Sequence, residues 1–230
     1  MTEITQINPN TWILEDDYVR FFLLEGNDKA ALIDSGINSP NALEIAKSLT
    51  DKLVILINTH GDMDHTSGTG AFSEILMHAE DYINCNMASK YPDTKLVELN
   101  DGDVIELGNR PLKVIFIPGH TKGSLAFIDV NSKTLYAGDS VQKGHIFMFG
   151  KHRDTEQFEN SLNKLIELNN EYDRIYASHG EYVVPKDYAE KVKEAWLKVR
   201  GGSVPYEMIE LHGNKVKSFT TETCGFFMEQ

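Results

Sequence analysis

The sequence predicts an α+β fold in which two β-sheets pack face to face with helices on the outside. Three observations lead there. Short apolar strands separated by turn residues fill the first third and the middle of the chain. Amphipathic helices close each half. No Pro/Gly/Ser linker, low-complexity tract or tandem repeat divides the 230 residues, so one domain covering 1–230 is expected.

The elements follow in order. "TWILEDD", "VRFFLLEG" and "AALIDSG" read as strands, the last ending at Asp34-Ser35-Gly36. "SPNALEIAKSL" reads as a helix with Ser39 at the N-cap, Pro40 in its first position, and Ala42, Ile45, Ala46 and Leu49 on one face. "LVILI" is the next strand. "DVIELG", "PLKVIFIPGH", "SLAFIDV" and "TLYAGDS" form a meander with turns at Asn109-Arg110 and Asn131-Ser132. A helix begins near Asp154, with Gln157 completing a capping box, and carries Phe158, Leu162, Leu165 and Ile166. A short strand, "RIYASHG", leads to a helix from Asp187 that carries Tyr188, Val192, Trp196 and Val199 and stops at Gly201. The alike strand ends "AALIDSG" and "TLYAGDS" hint at two related halves.

Composition narrows the function classes. With 41% hydrophobic and 25% charged residues the chain reads as an ordinary soluble protein. No apolar run approaches the ~18 residues of a membrane span. A net charge of −13 without a Lys/Arg block disfavours nucleic acid as a partner. The N-terminus lacks a basic start followed by an apolar segment, and the two cysteines, Cys85 and Cys224, fit no disulfide framework. A cytoplasmic protein with reduced thiols and a small-molecule substrate is expected, as monomer or homodimer.

Four apolar strands each end in a metal-ligand type of residue. "LVILINTH" ends at His60, "KVIFIPGH" at His120, "TLYAGD" at Asp139 and "RIYASH" at His179. Behind the first lies "HGDMDH", which packs His60, Asp62, Asp64 and His65 into six positions. Loops at strand ends, carried by a rigid scaffold, are where functional groups collect. Taken singly, each of these residues also reads as an ordinary turn or solvated side chain. Taken together, their order argues for one metal centre.

This set resembles the metallo-β-lactamase superfamily, whose pattern is HxHxDH followed by a His, a bridging Asp and a final His. The resemblance runs from "LIDSG" to "SHG" and implies a four-layer αββα sandwich with two divalent metal ions at the sheet edge. It implies one metal on His60, Asp62 and His120, a second on Asp64, His65 and His179, and Asp139 bridging both. It further implies hydrolysis by a metal-bridging hydroxide, with Asp64 both ligand and catalytic orienting group.

Asp62 is the one departure, standing where the family has histidine. As a ligand it replaces a neutral imidazole by a carboxylate, which hardens the site towards iron or manganese where the family's usual metal is zinc. It also makes the bound water less acidic. On that reading Asp62→His raises zinc affinity and hydrolytic rate. The substrate expected is a small ester, thioester or lactone.

Hydroxyacylglutathione hydrolases share the motif set but carry an extra helical C-terminal region. Only about fifty residues and one clear helix follow His179, which points away from that substrate. Two other readings stay open: a diiron redox protein fed by a separate electron donor, motivated by Asp62, and a non-catalytic metal or ligand sensor.

His145 and Tyr182 are candidate substrate contacts, His145 on a loop roofing the site and Tyr182 three residues past His179. The apolar "IFMF" beside His145 reads equally as pocket lining, oligomer contact or core. His78, His152 and His212 read as structural or solvated.

Overall fold

In the computed structural model, which describes residues 2–230, the αββα sandwich is present. The first sheet has seven strands in chain order: β1 (Glu3–Asn8), β2 (Thr11–Asp16), β3 (Val19–Glu25), β4 (Lys29–Ile33), β5 (Leu53–Ile57), β6 (Glu74–Met77) and β7 (Lys95–Glu98). β1 to β4 are antiparallel, and β4 to β7 run parallel. The second sheet contains β8 (Val104–Glu106), β9 (Pro111–Phe116), β10 (Leu125–Asp129) and β11 (Thr134–Tyr136). The chain leaves it for β12 (His145–Met148) and returns through β13 (Arg174–Tyr176) and β14 (Val183–Pro185). A third sheet joins β12 to a C-terminal meander of β15 (Tyr206–Leu211), β16 (Asn214–Thr220) and β17 (Gly225–Glu229).

Period-two alternation builds the layers. Phe22 and Leu24 of β3 face the second sheet and pack with Val114, Phe127 and Tyr136. Phe21 and Leu23 point the other way, into a cluster with Ala42, Ala46 and Met87. Ala42 and Ala46 come from the covering helix α1 (Ala42–Lys47) and Met87 from α4 (Met87–Lys90); α3 (Ala79–Asn84) adds Tyr82 to the same cluster, and the single turn α2 (Met63–Thr66) lies between α1 and α3. On the far side, α5 (Thr155–Glu167) and α6 (Tyr188–Arg200) press Phe158, Leu162 and Trp196 against Ile115, Ala126 and Leu135.

The similarity of the strand ends has a structural counterpart. β4 pairs antiparallel with β3 and parallel with β5, and β11 pairs antiparallel with β10 and parallel with β13. His60 follows the parallel partner in the first half, and His179 follows it in the second. The matched connectivity delivers both histidines to the same edge of the sandwich.

Three local expectations are corrected. Ser39 is no helix cap: its hydroxyl donates to Asp16, and α1 starts at Ala42. Asp187 makes no cap bond and pairs with Lys191 instead, whereas Asp154 does cap α5 by accepting from Glu156 and Gln157. The segment around His145 is a strand, β12, held parallel to β17, and not a loop.

Candidate metal centre

The four strand ends converge. His60 and His120 bring their Nε2 atoms to 3.3 Å from each other. Asp139 lies between the two halves, with Oδ1 3.3 Å from His65 Nε2 and Oδ2 3.2 Å from His179 Nε2 and 3.6 Å from His120 Nε2. Asp64 Oδ2 completes the far side, 3.4 Å from His179 Nε2 and 3.8 Å from His65 Nε2. Two groups result, His60/His120/Asp139 and Asp64/His65/His179, each with ligand-type atoms within 4.8 Å of one another.

Glycine makes two of these approaches fit. Gly119 has φ +135, and a Cβ there would lie 2.3 Å from the backbone of Phe158. Gly138 has φ +52 and sits against Thr59, so a side chain would push Asp139 away from the His60 loop.

What each histidine does with its other nitrogen decides what the centre can hold. His65 Nδ1 donates to Asp34 Oδ2 at 2.9 Å, His120 Nδ1 to the Phe147 carbonyl at 3.0 Å, and His179 Nδ1 to the Tyr18 carbonyl at 2.8 Å. These acceptors carry no proton of their own, so Nδ1 must. His60 Nδ1 lies 2.9 Å from the Thr59 hydroxyl, whose proton already goes to Asp34 Oδ2. Nδ1 is therefore the donor there too. In the neutral form all four rings then aim an Nε2 lone pair at one small volume, as metal-binding histidines do.

Two buried atoms confirm the mismatch that a cation would resolve. His65 Nε2 and Asp139 Oδ1 have no hydrogen-bond partner. They stand 3.3 Å apart, both facing the space between the two groups of ligand-type atoms. Nitrogen lone pairs and carboxylates facing one another repel unless a positive charge sits among them. The donor set fits divalent metal ions.

Electrostatics point the same way. Burial opposes ionisation of Asp139, but the His179 and His65 charges outweigh it and hold its carboxyl well below the usual range. Burial likewise lowers His179, but Asp139 and Asp64 push it up to about 10. His65 is raised well above its ordinary value by Asp139, Asp64 and Asp34 against the effect of burial. His120 differs: burial and the nearby Arg153 charge lower it.

Asp62 stands apart from both groups. Its Oδ2 is 3.5 Å from His60 Nε2 and 3.4 Å from His120 Nε2, close enough to join them. The same oxygen accepts from Arg153 Nη2 at 2.5 Å. Burial raises its carboxyl, but the two histidines and Arg153 together keep it well below the usual range.

The centre opens into a cavity of about 610 Å³, lined among others by Tyr18, Ile37, Met63, His145, Phe147 and Phe227. His145 is therefore in the cavity wall, its ring stacked 4.3 Å from Phe227. Phe147 lines the cavity while its neighbours Ile146 and Met148 are buried, which divides the "IFMF" run between pocket and core. Tyr182, the other candidate contact, does not line this cavity; it lies in a separate surface hollow with Ile7 and Arg174. His78 caps α3 by accepting from Glu80 N–H.

Several functional partners escaped the sequence reading. Asp81, fully buried, accepts from Gly61 N–H at 2.9 Å, Gly123 N–H at 2.6 Å and the Thr121 hydroxyl at 2.7 Å. It ties the His60 loop to the His120 loop. Thr59, Tyr18 and Arg153 act through contacts between distant segments. Only Asp34 carried a local signal, the end of "AALIDSG".

Comparison with known proteins agrees with this geometry. Residues 14–179 match the family model of the metallo-beta-lactamase superfamily, a span that contains the whole histidine and aspartate set. A protein named hydroxyacylglutathione hydrolase from Synechococcus sp. is 32% identical over 173 residues, which cover 74% of this chain and 66% of that protein. The chain thus spans just under two thirds of that relative. The acyl-coenzyme A thioesterase MBLAC2 of Homo sapiens is 26% identical over 201 residues, covering 68% of this chain and 72% of that one. Among solved structures, a metallo-beta-lactamase from Pontibacter korlensis superposes with a TM-score of 0.71 at 16% identity, over 86% of this chain and 99% of that one. Sandwich, converging imidazoles and sequence match agree: the chain belongs to the metallo-beta-lactamase superfamily.

Proposed function

We propose that this protein is a metal-dependent hydrolase of small thioesters or related esters and lactones. One observation carries the reading above the rest: four Nε2 lone pairs, each fixed by an Nδ1 donor bond, converge on a shared carboxylate. The relatives named hydroxyacylglutathione hydrolase and acyl-coenzyme A thioesterase support thioester chemistry.

His60, His120 and Asp139 would hold one ion, and Asp64, His65 and His179 the other, with Asp139 reaching both. Bound there, two divalent cations supply the Lewis acidity that polarises an acyl oxygen and acidifies water. Asp64, only one fifth exposed and lining the cavity, would orient the attacking water and take its proton at Oδ1, since Oδ2 is the oxygen that faces His65 and His179. Water adds across the acyl–sulfur or acyl–oxygen bond, giving a carboxylic acid and a thiol or alcohol. Phe147, Phe227, Ile37 and Met63 bind the acyl portion and exclude bulk water around it.

The wall chemistry narrows the substrate. Among the described residues Arg153 is the single Lys or Arg lining the cavity, and Asp62 already holds it. An uncharged, apolar acyl group suits these walls better than an anionic one.

The test is elemental analysis of the purified chain, followed by a panel of thioesters, esters and lactones assayed with zinc, manganese and iron. Turnover that chelation abolishes and metal restores is expected. A chain that takes up no metal and turns over nothing on the panel would sink the proposal.

A further inference from the structure

Asp62 and Arg153 lie 91 residues apart and meet at the edge of the His60/His120 group. Arg153 Nη2 donates to Asp62 Oδ2 at 2.5 Å, while Nη1 stands 3.5 Å from Oδ1. Asp62 precedes α2 in the N-cap position yet makes no cap bond, so its carboxylate is turned towards the guanidinium. The oxygen that Arg153 holds is also the one nearest His60 Nε2 and His120 Nε2.

Arg153 is itself anchored. Its side chain is 13% exposed, and its backbone N–H donates to Gly150 O. The next residue, Asp154, donates its N–H to Gly119 O, beside His120, and caps α5. The guanidinium is therefore mounted on the same loop framework that places His120. A swinging surface arginine would have no such mounting.

Charge gives the pair its meaning. A carboxylate in place of an imidazole subtracts one unit from the centre; a guanidinium bonded to it adds one back. We propose that Asp62 and Arg153 act as one charge-neutral donor unit, in which the Arg153 guanidinium cancels the charge of the carboxylate that faces the His60/His120 group. This rests on the metal reading of that group. It reverses the expectation drawn from the aspartate alone, because the centre keeps an oxygen donor without the extra negative charge.

The unit makes a specific prediction about Asp62→His. On sequence grounds that change restores a familiar ligand set and tightens metal. Beside Arg153 it instead leaves a positive charge facing two imidazoles with nothing to cancel it.

The test is metal affinity of the full chain, stripped and titrated with zinc against a chromophoric chelator, with stoichiometry by elemental analysis. Wild type is compared with Asp62→His, Arg153→Met, Arg153→Lys and Asp62→His/Arg153→Met. Asp62→His should weaken the ion held at His60 and His120 by about tenfold, and the double variant should recover most of that loss. Arg153→Met alone should tighten the same ion by about tenfold, by freeing a bare carboxylate, while Arg153→Lys stays within about threefold of wild type. The other ion, on Asp64, His65 and His179, should be unmoved throughout, which a merely structural role for Arg153 does not predict.

Asp62→His binding both ions as tightly as wild type, or a double variant no better than Asp62→His, would overturn the pair while leaving the hydrolase reading intact. Should Arg153→Met fail to fold, the comparison of Asp62→His with wild type still decides. A wild-type chain that binds no metal would overturn both.

Discussion

Asp34 holds His65 by a 2.9 Å bond from Nδ1 to Oδ2, and does so from a backbone in the left-handed region at φ 65. An aspartate tolerates that conformation better than most residues. Asp34 also accepts from the Thr59 backbone N–H at 2.8 Å and from its hydroxyl at 2.7 Å. One carboxylate therefore sets the ring nitrogen protonation of His65 directly and of His60 through Thr59.

Removing that carboxylate should cost the centre metal before it costs the fold. Asp34→Asn replaces one oxygen by an NH₂, which accepts no hydrogen bond, so the Thr59 and His65 donors can no longer all be satisfied. Metal affinity should fall by about 10- to 100-fold, measured by chelator competition. An Asp34→Asn chain that binds metal like wild type would show that His65 is positioned without it.

Asp81 makes the complementary case, a buried carboxylate that acts on loops and touches none of the histidine rings. Asp81→Ala leaves Gly61 N–H, Gly123 N–H and the Thr121 hydroxyl without their acceptor. Stability should drop by about 3 kcal/mol, mainly from unpaired buried donors. For a chain of this size that is a fall in Tm of roughly 10 °C, readable by calorimetry. Metal affinity should fall with it, because the His60 and His120 loops are no longer tied together.

These two aspartates mark how far the centre could be read from sequence. His60, His120, Asp139 and His179 were legible because each ends an apolar strand, so strand period and residue type coincide at one point. Asp34 was half legible, as the last residue of "AALIDSG". Asp81 and Arg153 gave no signal, because their partners are 20 to 42 and 91 residues away and no local pattern links them.

The third sheet was missed for another reason. β15 is largely solvent-exposed, with Tyr206 51% and Met208 45% accessible, so its sequence lacks the clean alternation of a half-buried strand. β1 is exposed along nearly its whole length and was missed likewise.

That third sheet matters for specificity, since β12 and β17 supply Phe147 and Phe227. The two rings meet edge to face at 5.0 Å. Phe227→Ala removes one face of the acyl pocket and loosens the other. KM for an apolar acyl thioester should rise by about three- to tenfold with kcat little changed, because the lost contact binds ground state and transition state alike. Tyr182→Phe, outside the cavity, should leave both constants within about twofold. A Tyr182→Phe chain with strongly raised KM would return that residue to the substrate site.

The last prediction concerns protons and metal sharing one set of ligands. In the metal-stripped chain, Asp139 and Asp64 push His179 up to about 10, against burial, from an ordinary 6.5. A raised histidine contributes stability that is fully present below pH 6.5 and is lost as pH climbs through 10. The Tm of the stripped chain should therefore decline steadily over that window. Asp139, held well below its ordinary 3.8, contributes in the opposite sense, present above that value and lost on acidification. The metal-loaded chain should show no such alkaline decline, because its ions require Nε2 free of protons. Zinc added to stripped protein at neutral pH should accordingly release protons into a weak buffer, and an indicator dye follows the release directly. A stripped chain whose Tm stays flat across the alkaline window would mean that His179 does not carry the proton assigned to it.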